Sequence, residues 1–131
     1  MSALRITGFE FWLPSLDLKG SLEFYVGHLG FRKVWDFEAY CTVSYGNVRL
    51  AFRPTGSPDL IKQFQGESGL LCLEVSGIHG YYEKLKAAGV VIEHELELMA
   101  PGVWQFSVKD NNGYYIGFNE SAGDVQRIVK K

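Results

Sequence analysis

The residue types that most often carry out catalysis are scarce in this sequence and do not form a recognisable set. The three histidines, His28, His79 and His94, fall in different predicted elements, which are two helices and a charged strand. No spacing of Ser, Cys, His and Asp predicts a nucleophile with its base. No glycine-rich strand–loop–helix motif for phosphate is present. These groups therefore give no positive indication of catalysis.

Aromatic residues are the unusual feature of the composition. The chain of 131 residues contains 9 Phe, 7 Tyr and 3 Trp, which is more than one core of this size requires. Aromatic faces stack on flat ligands and attract cations, so such an excess suits a ligand pocket. We therefore predict that at least one of Trp12, Trp35 and Trp104 lines a pocket for a small molecule.

The charge balance and the apolar stretches exclude several classes of partner. The 13 Lys and Arg residues against 15 Asp and Glu residues give a formal net charge of -2. A nucleic-acid binder would show a basic excess, and no apolar stretch approaches the roughly 20 residues of a membrane helix. Cys41 and Cys72 lie in apolar, strand-like runs, where a reduced cysteine packs as a small hydrophobe. We predict a cytoplasmic protein without nucleic-acid or membrane partners.

The elements that must position these residues occur twice in the same order. In each half, a strand is followed by an apolar helical stripe and then by three strand-like runs, the last two joined by a turn at Gly46 or at Gly113. This order predicts an α+β fold of paired βαβββ modules. Two such modules can form a curved sheet with helices outside and a ligand hollow on the other face.

The repeat also predicts the organisation of the chain as a single domain, 1–131. Module one covers residues 5–53 and module two covers residues 69–120. The linker 54–68 is rich in Gly, Ser and Pro, with one helical turn expected at 59–64. The C-terminal tail 121–131 forms a short helix or frays.

Two motifs carry a resemblance to a known family. Residues Asp17–Phe31 match the pattern D-L-x-x-S-x-x-F-Y-x-x-x-L-G-F, and Val108–Gly113 is similar to V-x-D-P-x-G, with Asn111 in place of Pro. Together they resemble the vicinal oxygen chelate superfamily, which includes glyoxalase I, extradiol dioxygenases, fosfomycin resistance enzymes and bleomycin resistance proteins. The resemblance covers about residues 5–120 and implies paired modules, often in a dimer. It does not imply one reaction, because the family contains enzymes and binding proteins.

The resemblance also indicates where metal ligands would stand in a metal-dependent member. Those positions hold Glu10, Arg49, Leu70 and Gly117 in this chain. Only Glu10 could bind a metal, and Arg49 would add a positive charge beside it. Divalent metals need three or more N, O or S ligands. We therefore predict no bound metal and no cofactor.

The remaining candidates are assigned from the face of the sheet that lines the expected hollow. The predicted ligand-binding residues are Glu10, Trp12, Trp35, Arg49, Glu74, Trp104 and Tyr115. The charged residues would orient polar groups of the ligand and the aromatic residues would stack on it. Glu10 and Arg49 could instead form only a structural pair across the sheet.

These observations favour a metal-free binding protein similar to bleomycin resistance proteins, forming a homodimer and sequestering an aromatic or cationic molecule. This role would resemble antibiotic resistance and needs no enzymatic activity. One alternative is a lyase or dioxygenase of the same superfamily, dependent on a metal or on Glu10 as a general base. The other alternative is a dimeric interaction module whose hollow binds no ligand.

Overall fold

The predicted repeat of elements is present in the structure. A computed structural model describes residues 3–65 and 71–123 of the chain. It shows a mixed α+β protein with two βαβββ modules, as predicted from the sequence. Hydrogen bonds join the strands into two four-stranded sheets, and the chain divides into two units with a boundary between Ile61 and Lys62.

The first unit contains one mixed sheet. Its strands are β1 (Phe11–Ser15), β2 (Arg32–Asp36), β3 (Cys41–Tyr45) and β4 (Val48–Pro54), arranged in the order β1-β4-β3-β2. Strand β1 is parallel to β4, and the other neighbouring strands are antiparallel. The predicted hairpin joins β3 to β4, and Gly46 supplies the positive φ of 57° that its two-residue turn requires.

The helix of the first unit changes its winding halfway. Helix α1 (Leu18–Leu22) continues directly into a π-helical segment, Glu23–His28. The N–H of Leu29 donates to the carbonyl of Phe24, which is the five-residue spacing of a π-helix. Tyr25 in this segment is fully buried, and its ring centroid lies 5.0 Å from that of Phe52 in β4. The predicted apolar stripe therefore anchors the helix to one face of the sheet.

The second unit repeats this arrangement. Its elements are β5 (Leu71–Glu74), α3 (Ile78–Ala87), β6 (Ile92–Met99), β7 (Val103–Lys109) and β8 (Tyr115–Ser121). The sheet order is β5-β8-β7-β6, and β5 is parallel to β8. The rings of Tyr82 from α3 and of Phe106 and Phe118 from the sheet form the core.

The predicted linker contains regular structure. The helical turn expected at 59–64 lies within helix α2 (Pro58–Gln65). Residues 66–68 of the predicted linker, the position of Leu70 and the tail from residue 124 lie outside the described residues. Within the described ranges, no helix has the length and the apolar character that a membrane crossing needs.

The start of α3 is completed by a side chain from the last strand that the structure describes. Glu120 in β8 accepts hydrogen bonds from the backbone N–H groups of Ile78 at 2.9 Å and of Gly77 at 3.1 Å. These N–H groups have no partner within the helix, and they also carry its positive dipole end. These hydrogen bonds lower the pKa of Glu120 below its usual value of 4.5, and the bond from Ile78 has the larger effect.

We expect Glu120→Gln to lower the melting temperature at pH 7, because a neutral amide is a weaker acceptor for these N–H groups. The pKa of Glu120 is lower in the folded state, so its contribution is complete above the usual carboxyl pKa. It disappears as the pH falls through the lowered value. The difference in melting temperature between Glu120→Gln and the original protein should therefore become smaller in acid. Thermal unfolding from pH 2 to pH 7 measures this, with Glu83→Gln on α3 as the control, and a constant difference would contradict it.

Candidate functional site

The strand register of the first unit places two rows of side chains on the face opposite the helix. Residues paired across neighbouring strands project from the same face. The first row is Trp12, Ala51, Thr42 and Trp35, taken across β1, β4, β3 and β2. The second row contains Arg49, Ser44 and Arg32, with Glu10 beside Arg49 just before β1 begins. We call this surface the first pocket face.

Glu10 connects two of the predicted ligand residues. Its Oε2 accepts a hydrogen bond of 3.1 Å from Nε1 of Trp12, and its Oε1 lies 3.7 Å from Nε of Arg49. The side chains of Arg49 and Glu10 are 43% and 32% exposed, so solvent screens the pair. Both carboxylate oxygens of Glu10 therefore already have a partner within the protein.

A groove of about 850 Å³ lies at this end of the first pocket face. Its lining includes Phe9, Glu10, Trp12, Ser44 and Arg49. This volume lies within the range of about 300–1,000 Å³ that is usual for small-molecule sites. The groove thus brings together three of the residues predicted from the sequence, namely Glu10, Trp12 and Arg49.

Aromatic rings form a continuous series along the same unit. The ring centroids of Trp12 and Tyr40 are 5.4 Å apart, as are those of Tyr40 and Phe37. The ring of Phe37 then stacks on that of Trp35 at 5.8 Å. We call Trp12, Tyr40, Phe37 and Trp35 the aromatic row. Trp35 and Phe37 are each 49% exposed, so these large apolar surfaces face solvent instead of filling the core.

A buried hydroxyl lies on the first pocket face between the two tryptophan positions. Thr42 has no exposed surface, and its Oγ1 has no hydrogen-bond partner among the residues that the structure describes. A buried hydroxyl without a partner costs free energy. Thr42 and Ser44 were not among the predicted site residues. Both could have been found from the sequence, because the hairpin pairs Ser44 with Arg49. Strand alternation then puts Thr42 on the same face as Ser44.

The second unit presents different side chains on its corresponding face. Register places Cys72, Gly117, Ser107 and His94 in one row, with Glu74 and Asn119 in the next. A cavity of about 480 Å³ lies over this surface and is lined by residues that include Cys72, His94, Ser107 and Asn119. The predicted residue Glu74 projects from the same face. Sequence reasoning did not assign His94 or Ser107 to a site.

Tyr115 on this face is already in contact with a cation of the protein. Nζ of Lys109 lies 5.4 Å from the centroid of the Tyr115 ring and 3.6 Å from Oε2 of Glu93. An ammonium group at this distance is attracted by the aromatic ring. Lys109 therefore occupies one side of the Tyr115 ring.

Trp104 differs from the prediction that it lines the hollow. It pairs with Glu120 across β7 and β8, one residue from Gln105, which pairs with Asn119. This alternation turns Trp104 to the helix side of the sheet. There its ring centroid lies 4.5 Å from that of His79 in α3. Trp104 therefore does not share the face of Glu74 and Tyr115.

The residues at the four positions implied for metal ligands differ in their ability to bind a metal ion. Glu10 is paired with Arg49, Gly117 has no side chain, and Leu70 lies outside the described residues. Over residues 3–65 and 71–123, no three His, Cys, Asp or Glu side chains are grouped so that they could hold a metal ion. The described donor set therefore does not fit a divalent metal, which requires several ligands.

Two mixed sheets, each with its βαβββ order and a helix on one face, define a fold of paired modules. A sequence model of the Glyoxalase/Bleomycin resistance protein/Dioxygenase superfamily matches residues 9–118, and the chain belongs to this superfamily. This confirms the family predicted from the two motifs. A search of curated proteins gave no match.

Solved structures share the fold at low sequence identity. TioX from Micromonospora sp. ML1 is 20% identical with a TM-score of 0.73, covering 88% of this chain and 99% of its own. The bleomycin-binding protein of Streptomyces verticillus, complexed with copper(II)-bleomycin, is 21% identical with a TM-score of 0.67 and coverages of 92% and 99%. Lactoylglutathione lyase from Agrobacterium tumefaciens is 14% identical with a TM-score of 0.68 and coverages of 88% and 95%. At these identities the likeness concerns the fold alone.

The two cysteines should differ in reactivity. Cys41 is fully buried, and burial, followed by the charge of Asp36, raises the pKa of its thiol to about 11. Cys72 is exposed at the second cavity. Because the thiolate is the reactive form, a disulfide reagent at pH 8 should titrate one thiol in the folded protein and two after denaturation. Cys72→Ser should abolish the reaction of the folded protein, whereas Cys41→Ser should leave it intact, and two reactive thiols in the folded protein would contradict this.

Proposed function

We propose that this protein binds a small aromatic molecule without a metal ion, at the first pocket face. The observation that carries this proposal is the junction of the aromatic row with Glu10 and Arg49 at the groove. Exposed rings in contact with one another offer apolar faces with little conformational freedom to lose on binding. The neighbouring charged groups would orient the polar end of the ligand.

The Glu10–Arg49 pair supports binding without a metal. A metal ion at Glu10 would have to displace Arg49 from Oε1, at 3.7 Å, and would then be repelled by the guanidinium. The hydrogen bond from Trp12 to the other oxygen also opposes a role for Glu10 as a lone general base. That oxygen already accepts a hydrogen bond from the indole N–H. Both observations favour the binding protein over the enzymatic alternatives.

The relatives support two kinds of function. One solved relative is a bleomycin-binding protein in complex with copper(II)-bleomycin, and another is a lactoylglutathione lyase. The exposed rings of the first pocket face and the internal pairing of Glu10 favour binding over catalysis. We therefore favour sequestration, in which affinity for the ligand is the whole mechanism and the biological role resembles antibiotic resistance.

Other parts of the proposal concern the second unit and the assembly. Glu74 and Tyr115 stay predicted ligand residues of the second unit, whereas Trp104 is omitted because of its contact with His79. A homodimer stays a prediction, and the exposed apolar side chains of Leu4 and Ile6 would suit self-association. The two free cysteines suit the cytoplasmic location that we propose.

Metal content tests the metal-free state directly. We expect protein purified without chelators to contain far less than one equivalent of Zn, Ni, Mn or Fe, measured by inductively coupled plasma mass spectrometry. The physical reason is the opposed charge of Arg49 beside Glu10. A nearly stoichiometric content of one of these metals that survives dialysis would overturn the proposal.

Binding of a neutral fluorescent aromatic, N-phenyl-1-naphthylamine, tests the aromatic surface. We expect Trp12→Leu to weaken its binding about tenfold, because loss of one stacking contact costs about 1.4 kcal/mol. Trp104→Leu is the matched control, since that ring lies on the helix side of the second unit. Its affinity should stay within about twofold of the original protein. Equal loss in both variants, with circular dichroism showing both folded, would contradict a site at the first pocket face.

A further inference from the structure

We infer that the groove at Glu10, Trp12 and Arg49 selects aromatic molecules that carry a negatively charged group, above all aromatic carboxylates. This inference rests on the proposed function and names the class of ligand. It differs from the aromatic or cationic ligand expected from the sequence. It follows from which charges at the groove are already paired and which are not.

The carboxylate of Glu10, the one acidic side chain among the described residues of the groove, is already paired. Glu10 is the sole acidic residue among the described residues that line this groove and the neighbouring one beside Gly46. Its Oε2 accepts from Trp12 and its Oε1 faces Arg49. A cationic ligand would have to replace these partners and would gain little, because it would exchange one ion pair for another.

The guanidinium of Arg49 at the groove can still form hydrogen bonds to a ligand. Arg49 meets Glu10 through Nε, and its side chain makes no hydrogen bond to any residue in the described part of the chain. The two terminal amino groups of a guanidinium can bind both oxygens of one carboxylate. Arg49 lines the groove and is 43% exposed, so an anion can reach these amino groups.

A second guanidinium strengthens this bias. Arg32 pairs with Ser44 across β2 and β3, and Ser44 pairs with Arg49 across β3 and β4. Arg32 also lines an adjoining groove of about 380 Å³, which shares Ser44 and Gly46 with the first. Two strand spacings separate the two arginine backbones by about 10 Å. That is comparable with the screening length at physiological salt, so both charges attract the same anion.

Trp12 supplies the surface for the aromatic part of the ligand. The hydrogen bond from its Nε1 to Glu10 restrains the indole ring beside the ion pair. A ligand ring stacked on this indole therefore lies beside the Glu10–Arg49 pair. Glu10 thus acts as a positioning residue, since it holds both the stacking surface and the guanidinium.

Three probes with one naphthalene ring and different charges test the inference: 2-naphthoate, 2-naphthylmethanol and 2-naphthylmethylammonium. Their dissociation constants can be measured by isothermal titration calorimetry at low ionic strength. We expect 2-naphthoate to bind at least about tenfold more tightly than 2-naphthylmethylammonium, with the neutral alcohol between them. The preference for the anion should decrease as salt is added.

Variants then assign the preference to Arg49. Arg49→Gln should weaken 2-naphthoate about tenfold and leave the alcohol within about twofold, whereas Arg32→Gln should cause a smaller loss of 2-naphthoate binding. Lys84→Gln is the matched control, because it changes the net charge equally but lies on α3 in the second unit. Its affinities should not change.

The possible outcomes separate the inference from the function on which it rests. Equal or tighter binding of the ammonium probe would overturn the anion preference while leaving aromatic binding in place. Undiminished 2-naphthoate binding in Arg49→Gln would also overturn it. Failure of all three probes to bind the folded protein would overturn both the inference and the proposed function.

Discussion

The parallel pairing of β1 with β4 is the constraint on which the first unit depends. It sets Trp12 opposite Ala51 and Leu13 opposite Phe52, so one set of side chains enters the core and the other faces the groove. Strand side chains alternate, and a slip of one residue would exchange the two sets. Leu13 would then be exposed, and Trp12 with Glu10 would have to enter the core. The hydrophobic cost of that exchange fixes the register, and the register creates the site.

The two units use the same topology for different surfaces. In the first unit, exposed rings end at an ion pair that leaves a guanidinium with hydrogen-bonding capacity. In the second, Gly117 leaves the middle of the face without a side chain, and its neighbours across the strands are Cys72 and Ser107. The shared order of elements therefore fixes where side chains project but not what they bind. Function depends on which residues occupy a few equivalent positions.

Much of the architecture could be predicted because it follows from local patterns. Apolar periodicity and the turns at Gly46 and Gly113 predicted the repeated modules, and alternation placed Glu10 and Trp12 together. The face of Trp104 was wrongly assigned, although strand alternation groups it with the apolar Phe106 and Val108 and so already favours the helix side. The π-helical segment Glu23–His28 was also not predicted. Tyr25 in this segment packs on Phe52 of β4, a contact between residues distant in sequence that local apolar spacing does not reveal.

The contact between Glu120 and the first N–H groups of α3 has a consequence for biosynthesis. The acceptor lies 43 residues after Gly77 and in the last strand of the described chain. The helix is therefore synthesised before the group that completes its first turn. The nascent second unit must wait for β8 before this helix end is satisfied. A chain ending before Glu120 would therefore lack the partner of its own helix.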